Sequence, residues 1–178
     1  MKIGSTDALL VVDVQVDFCP GGALAVPEGD AVAPVVAGLT PRFDIVVATQ
    51  DWHPPGHLSF ASQHPHREIG EQIDLNGLEQ ILWPEHCIQG SPGAELHADL
   101  DQDQIDAVIP KGTDTSIDSY SGFFDNGHRQ ATGLGDYLNE RNVSEVTIMG
   151  LATDYCVKFT ALDAVRHGLK TNLVQAGC

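Results

Sequence analysis

Short apolar runs bounded by turn residues recur along the chain. Their richness in Val, Ile and Leu is typical of strands that are buried on both faces of a parallel sheet. The predicted strands are ALLVVDV (8–14), FDIVVAT (43–49), IDAVIP (105–110), EVTIMG (145–150) and TNLV (171–174).

Helical spacing of apolar residues occurs between these runs, over residues 30–39, 134–141 and 154–167. The third helix is the best defined, because Thr153 or Asp154 can cap its first turn. Its predicted apolar stripe consists of Val157, Ala161, Ala164 and Val165. The alternation of strand and helix predicts an α/β fold with a parallel sheet and right-handed crossovers.

Length, composition and charge narrow the function classes. At 178 residues the chain has the size of one domain, and 42% hydrophobic with 19% charged residues is typical of a globular protein. Nine basic against 25 acidic residues give a net charge of −16, which repels phosphate backbones and anionic lipid headgroups. We therefore expect no nucleic acid or membrane partner, and we expect a small neutral substrate. The oligomeric state stays open, with a homo-oligomer among the options.

The N-terminal segment and the cysteines both indicate a cytoplasmic protein. The start, MKIGSTDALLVVDV, contains a short apolar run without a small-residue cleavage site after it, so we expect no secretory signal. The cysteines show no CxxC pair of the kind found in zinc knuckles. They are Cys19, Cys87, Cys156 and Cys178. A reducing compartment fits such scattered thiols.

Reactive residues follow the ends of four predicted strands. In an open parallel sheet, ligands bind beyond the carboxyl ends of the strands, so residues that leave the strands are the first candidates for chemistry. They are Asp13 at the carboxyl end of the first strand, Asp51 and His53 after the second, Lys111 after the third and Cys156 after the fourth. The long connection over residues 50–104 also suggests function, since loops of that length are uncommon inside compact domains.

Three of these residues have the chemistry of a nucleophilic triad. Cys156 lies in the predicted first turn of a helix, where the helix dipole and a nearby Lys111 ammonium would favour the thiolate. Asp13 can accept the thiol proton and later pass it to a leaving amine. We therefore predict a Cys-Asp-Lys triad.

A second group of residues has the spacing of a metal site. In the segment DWHPPGH (51–57), Asp51 and His53 lie two residues apart and His57 follows a Pro-Gly turn. Together with His86 they supply one carboxylate and three imidazoles. This set suits a divalent ion such as zinc, iron or manganese, with coordination positions left open.

Five segments, in this order, resemble the nicotinamidases of the isochorismatase-like cysteine hydrolase superfamily. They are VVDVQVDFCPGGALAV (11–26), ATQDWHPPGHLSFAS (48–62), WPEHCIQGSPGAEL (83–96), PKGTDTSIDSYSGFFDN (110–126) and GLATDYCVKFTALDAVRHG (150–168). The resemblance implies a Rossmann-like, three-layer domain over residues 1–178, with helices on both faces of the sheet. Family members usually continue past residue 178, so it also implies a further helix and strand beyond this chain.

The resemblance also implies roles for individual residues. The implied catalytic triad is Asp13, Lys111 and Cys156, and the implied metal ligands are Asp51, His53, His57 and His86. A cis peptide at Leu151–Ala152 would direct the N–H groups of Ala152 and Cys156 toward an oxyanion. Implied neighbours of the substrate ring are Phe18, Trp83, Tyr120 and Tyr155.

The implied activity is hydrolysis of nicotinamide, and of pyrazinamide, to the acid and ammonia through a Cys156 thioester, in NAD salvage. The implied cofactor is one divalent ion that contacts the ring nitrogen, with zinc preferred over iron and manganese. Three alternatives stay open: another amidase of the superfamily, a metal-hydroxide hydrolase in which Cys156 is structural, and a non-catalytic binding module. A magnesium phosphotransferase built on Asp13 and Asp17 is disfavoured, because the chain lacks a glycine-rich phosphate loop.

Overall fold

A five-stranded parallel sheet forms the centre of the protein, in a computed structural model that describes residue 4 and residues 6–178. A separate two-stranded hairpin lies in the connection between the second and third strands of this sheet. The strands are β1 (Asp7–Val12), β2 (Ile45–Asp51), β3 (Gln72–Leu75), β4 (Leu78–Ile81), β5 (Ala107–Lys111), β6 (Glu145–Gly150) and β7 (Lys170–Leu173). The order in the large sheet is β5-β2-β1-β6-β7, and all of its strand pairs are parallel.

Helices cover both faces of the sheet, as the family resemblance implies. They are α1 (Val32–Leu39), α2 (Leu134–Glu140) and α3 (Lys158–Arg166). In β1, Leu9 and Val11 pack with α1, whereas Leu10 and Val12 pack with α2 and α3 on the opposite face. This alternation follows from the two-residue period of a strand, and it confirms the three-layer α/β architecture. In the described part of the chain, each helix falls short of the length and apolarity that a membrane span requires.

The strand order places a crevice above β1. From β1 the chain adds strands on one side through β2 and β5, and then on the other side through β6 and β7. The switch in direction lies between β1 and β6, and ligands of open α/β sheets bind at the carboxyl ends of the strands at such a point. The residues that leave β1, β2, β5 and β6 therefore meet at one edge.

The third helix differs from its prediction. Residues Thr153–Val157 form a π-helical turn, and α-helical geometry starts only at Lys158. Neither Thr153 nor Asp154 caps α3, because both lie within the π turn and the N-cap position of α3 is Val157. Val165, predicted in the apolar stripe, is 60% exposed. Within α3, Val165 is turned about 100° around the helix axis from the buried Ala164, so it lies at the edge of the predicted stripe and faces solvent.

The β3–β4 hairpin was not predicted. Its two-residue turn is Asn76-Gly77, and both residues have positive φ, 55° and 84°. This is the geometry of the type I′ turns that favour Asn-Gly, so a local signal for a hairpin is present in the sequence.

The five strands of the large sheet begin and end within two residues of their predicted bounds.

Candidate active site

Lys111 lies at the centre of the predicted triad. Its Nζ is 2.9 Å from Asp13 Oδ2 and 3.5 Å from Cys156 Sγ. The Lys111 ammonium also donates a hydrogen bond of 2.8 Å to the carbonyl of Ser119. All three predicted triad residues are buried, and the structure brings them together from the ends of β1 and β5 and from the π turn.

Burial and charge determine the protonation of the triad. Burial favours a neutral amine at Lys111, but the Asp13 and Asp51 carboxylates outweigh it and hold the Lys111 pKa well above its ordinary value. Burial raises the pKa of the Asp13 carboxyl despite the lowering effect of Lys111. Burial also raises the pKa of the Cys156 thiol well above its usual range, and the Lys111 ammonium offsets only part of that shift. Desolvation thus favours the protonated thiol at Cys156, against the effect of Lys111 that the sequence analysis expects to favour the thiolate.

Thr49 holds the Asp13 carboxylate in place. Its hydroxyl donates to Asp13 Oδ1 at 2.6 Å and accepts a hydrogen bond from the Asp13 main-chain N–H at 3.2 Å. The other oxygen of Asp13, Oδ2, forms the ion pair with Lys111 Nζ at 2.9 Å. One oxygen of Asp13 is thus fixed, and the other remains available for proton transfer.

The segment before Cys156 has the backbone conformation that the resemblance implies. The Leu151–Ala152 peptide bond is cis, and Ala152 and Cys156 both line the cavity described below. The two residues that are predicted to supply the oxyanion donors therefore both line the cavity.

Two of the four predicted metal ligands present a free ring nitrogen toward Asp51. His53 Nδ1 lies 2.9 Å from the Gly112 carbonyl, and His86 Nδ1 lies 2.8 Å from the Pro84 carbonyl. Since a carbonyl only accepts hydrogen bonds, each Nδ1 carries the proton and each Nε2 keeps its lone pair. The two Nε2 atoms lie 3.7 and 3.8 Å from Asp51 Oδ2.

The residues of this cluster fit a divalent cation. His53 Nε2 is buried and has no hydrogen-bond partner in the described part of the chain. Because buried polar atoms normally have a partner, such a nitrogen is a good candidate for a metal ligand. Burial lowers the pKa of His53, but the negative charges of Asp51 and Asp118 outweigh it and raise that pKa. A surplus of negative charge at a group of two imidazoles and a carboxylate favours binding of a positive ion.

His57 lies outside this cluster. Its Nδ1 accepts the Ser59 main-chain N–H at 3.1 Å, so its Nε2 carries the proton and faces the Ile117 carbonyl at 3.3 Å. The ligand atoms that lie close together are those of Asp51, His53 and His86, whereas His57 groups with His53 and Asp118. His57 follows His53 by four residues, and the centroids of the two rings lie 4.5 Å apart. Both nitrogens of His57, however, have the partners given above.

An apolar cavity of about 260 Å³ opens above Cys156 and the metal-ligand cluster. Its size suits one small ring rather than a drug-sized molecule. The walls include all four predicted aromatic neighbours, Phe18, Trp83, Tyr120 and Tyr155. Trp83 meets Tyr155 edge to face at 5.0 Å, and its Nε1 donates to the Tyr120 hydroxyl at 3.2 Å. Such packing holds the aromatic rings in fixed orientations around a flat ligand.

Sequence reasoning missed several residues of the site. Asp118 lines the cavity beside the histidines, and Gln15 hydrogen-bonds to the main chain of Asp51. The segment 24–27 forms a further wall of the cavity. Asp118 follows no predicted strand, and the role of Gln15 depends on a contact between distant parts of the chain. The sequence offered no local signal for either residue.

Comparison with known proteins places this geometry in a family. The isochorismatase domain matches residues 7–178. The nicotinamidase of Escherichia coli is 54% identical over 175 residues, which cover 96% of this chain and 82% of that protein.

Solved structures of related proteins share the backbone. A nicotinamidase/pyrazinamidase of Acinetobacter baumannii superposes with a TM-score of 0.97 at 47% identity, over 99% of this chain and 86% of the other. PnC1 from L. infantum, in complex with nicotinate, gives 0.85 at 39% identity, over 99% and 83% of the two chains. The pyrazinamidase of Pyrococcus horikoshii, in complex with zinc, gives 0.77 at 40% identity, over 97% and 85%. The parallel sheet and the match over nearly the whole length agree, and the chain belongs to the isochorismatase domain family.

Proposed function

We propose that this protein hydrolyses nicotinamide to nicotinic acid and ammonia, and that it accepts pyrazinamide as well. The observation that carries the proposal is a cysteine next to a buried Asp13–Lys111 ion pair at the base of an aromatic cavity. The names of the E. coli and A. baumannii relatives support this hydrolase activity on an amide C–N bond. The product, nicotinic acid, is a precursor for NAD salvage.

The cavity favours a flat, neutral amide as substrate. Aromatic walls can stack against or contact the edge of a pyridine ring, and the complex of the L. infantum relative with nicotinate supports a ligand of this shape. The net charge of −16 does not hinder a neutral substrate and favours departure of the nicotinate anion.

In the first half of the proposed reaction, Cys156 Sγ attacks the amide carbonyl carbon while its proton passes to Asp13. The raised pKa of Asp13 makes this carboxylate a better base than an exposed aspartate. The N–H groups of Ala152 and Cys156 would hold the oxyanion. Asp13 then protonates the leaving nitrogen, the C–N bond breaks, and ammonia departs from a thioester on Cys156.

In the second half, water attacks the thioester and transfers a proton to Asp13. The C–S bond breaks, the proton returns to Cys156 sulfur, and nicotinic acid is released. Lys111 keeps its positive charge when Asp13 takes up a proton, because the Asp51 carboxylate remains beside the ammonium and raises its pKa. Its ammonium therefore stabilises the negative charge that moves between Asp13 and Cys156.

We propose that Asp51, His53 and His86 hold one zinc ion. The zinc complex of the P. horikoshii relative supports this choice, and the donor set of two imidazoles and a carboxylate suits zinc. When bound, the ion would supply a Lewis-acid site for the pyridine nitrogen of the substrate. His57 would support the cluster from outside through its ring contact with His53.

We also propose that residues 1–178 form one isochorismatase-like domain, since the two groups of buried apolar residues pack on opposite faces of a single sheet. The cytoplasm is the proposed compartment. Its reducing conditions suit four cysteines that are all free thiols.

The test of the proposed function is release of ammonia from a panel of amides by the purified, zinc-loaded protein. We expect turnover of nicotinamide and pyrazinamide, much slower turnover of benzamide, which lacks the ring nitrogen, and none of acetamide. Absence of nicotinamide hydrolysis, or equal rates with acetamide, would contradict the proposal. Alkylation of Cys156 by iodoacetamide with turnover intact would favour a metal-hydroxide hydrolase instead.

A further inference from the structure

The sheet is incomplete beside the last residues of β2. The register between β1 and β2 runs to the pair Val11 and Ala48, whereas β2 continues to Asp51 and pairs there with Lys111 of β5. After β1 the chain turns at Asp13, whose φ is 49°. The main-chain N–H and C=O groups of Asp51 on the β1 side therefore lie beyond the last residue of β1 that pairs with β2.

The side chain of Gln15 takes the place of that strand. Its Oε1 accepts the Asp51 main-chain N–H at 2.8 Å, and its Nε2 donates to the Asp51 carbonyl at 2.9 Å. Nε2 also donates to the Ala94 carbonyl at 2.8 Å, and the side chain is fully buried. A single amide thus satisfies both main-chain groups of Asp51, as a residue of a neighbouring strand would.

The carboxylate of Asp51 lies between Lys111 and the two histidines of the cluster. Its Oδ1 contacts Lys111 Nζ at 2.5 Å, and its Oδ2 faces the free ring nitrogens of both cluster histidines. An aspartate side chain has only two torsions, so a shift of its main chain moves the carboxylate directly.

We propose that Gln15 is a positioning residue that fixes the main chain of Asp51 and thereby sets its carboxylate between Lys111 and the metal cluster. The inference rests on the proposed metal role of Asp51. Groups that orient a metal ligand are worth about 10–100-fold in metal affinity, and we expect a loss of that size when the amide of Gln15 is removed.

The test compares Gln15→Met with Gln50→Met. Both are replacements of similar volume, and Gln50 Nε2 donates to the same Ala94 carbonyl at 2.8 Å. Its side chain makes no hydrogen bond to Asp51 among the described residues. Zinc affinity is measured by competition with a chromogenic chelator, and metal-free thermal unfolding of each variant is recorded as a check on folding. We expect zinc affinity to fall about 10–100-fold for Gln15→Met and by less than about threefold for Gln50→Met.

Equal zinc affinity in the two variants would overturn the proposal. If Gln15→Met does not fold, the test is repeated with Gln15→Asn and Gln50→Asn. The shorter Asn side chain at position 15 cannot reach both main-chain groups of Asp51. The same difference in affinity is expected, and its absence would again overturn the proposal. Nicotinamide turnover by the wild type is scored separately, so a wild type that binds zinc without hydrolysing nicotinamide would contradict the proposed function and leave the Gln15 test valid.

Discussion

The Asp51 carboxylate lies 2.5 Å from the Lys111 ammonium, so a buried ion pair links a proposed metal ligand to the lysine that contacts Cys156. Lys111 also pairs with Asp13 at 2.9 Å, which places one positive charge between two carboxylates. The triad and the metal cluster are therefore electrostatically coupled, and a change at either one alters the charge balance of the other.

Replacement of Lys111 tests this coupling. Lys111→Met leaves two buried carboxylates without their cation, and we expect it to lower the free energy of unfolding by about 3–5 kcal/mol and to abolish turnover. Urea titration of the metal-free protein measures the first effect. Lys158→Met, at an exposed lysine of α3, is the control and should change stability by less than about 0.5 kcal/mol. A Lys111→Met protein as stable as the control would show that the ion pairs contribute nothing.

Protonation of Cys156 can be followed through the ultraviolet absorbance of the thiolate. Burial raises the pKa of this thiol well above its ordinary value of 9.0, so the protonated form is favoured and the thiolate gains population only as the pH rises beyond that value. In the metal-free protein we expect no difference in thiolate absorbance between wild type and Cys156→Ser around neutral pH. A difference there of one thiolate per chain would show that Lys111 outweighs desolvation.

Metal content distinguishes a three-residue cluster from the four ligands that the sequence predicts. We expect His86→Ala to lose bound zinc, because it removes one of the nitrogens that faces Asp51. His57→Gln should retain about one zinc per chain, since both nitrogens of His57 already have partners. Elemental analysis after dialysis measures both. Loss of zinc from His57→Gln would show that His57 is a metal ligand.

The aromatic wall should affect binding more than chemistry. Trp83→Ala removes a large side chain that lines the cavity, and we expect KM for nicotinamide to rise about 10–100-fold with a smaller change in kcat. Trp83→Phe keeps an aromatic face and should recover most of the loss. A fall in kcat with KM unchanged would place Trp83 in the chemical step.

Much of the fold and the centre of the candidate site could be predicted from the sequence. Strongly apolar runs fix the five parallel strands, and the rule that ligands bind at their carboxyl ends gathers Asp13, Asp51, Lys111 and Cys156. The protonation of Cys156 could not be predicted, because it depends on the balance between burial and charge in the folded site. The positions of the ring nitrogens of His57 also depend on contacts with Ser59 and Ile117, which spacing alone does not reveal.

The most direct measurement is the turnover number for nicotinamide of Cys156→Ala against Cys19→Ala. Cys19 is also a buried free thiol, but it does not line the cavity. With equal zinc content, we predict a loss on the order of a thousandfold or more for Cys156→Ala and nearly full activity for Cys19→Ala. Wild-type turnover by a folded Cys156→Ala protein would contradict the assignment of Cys156 as the nucleophile.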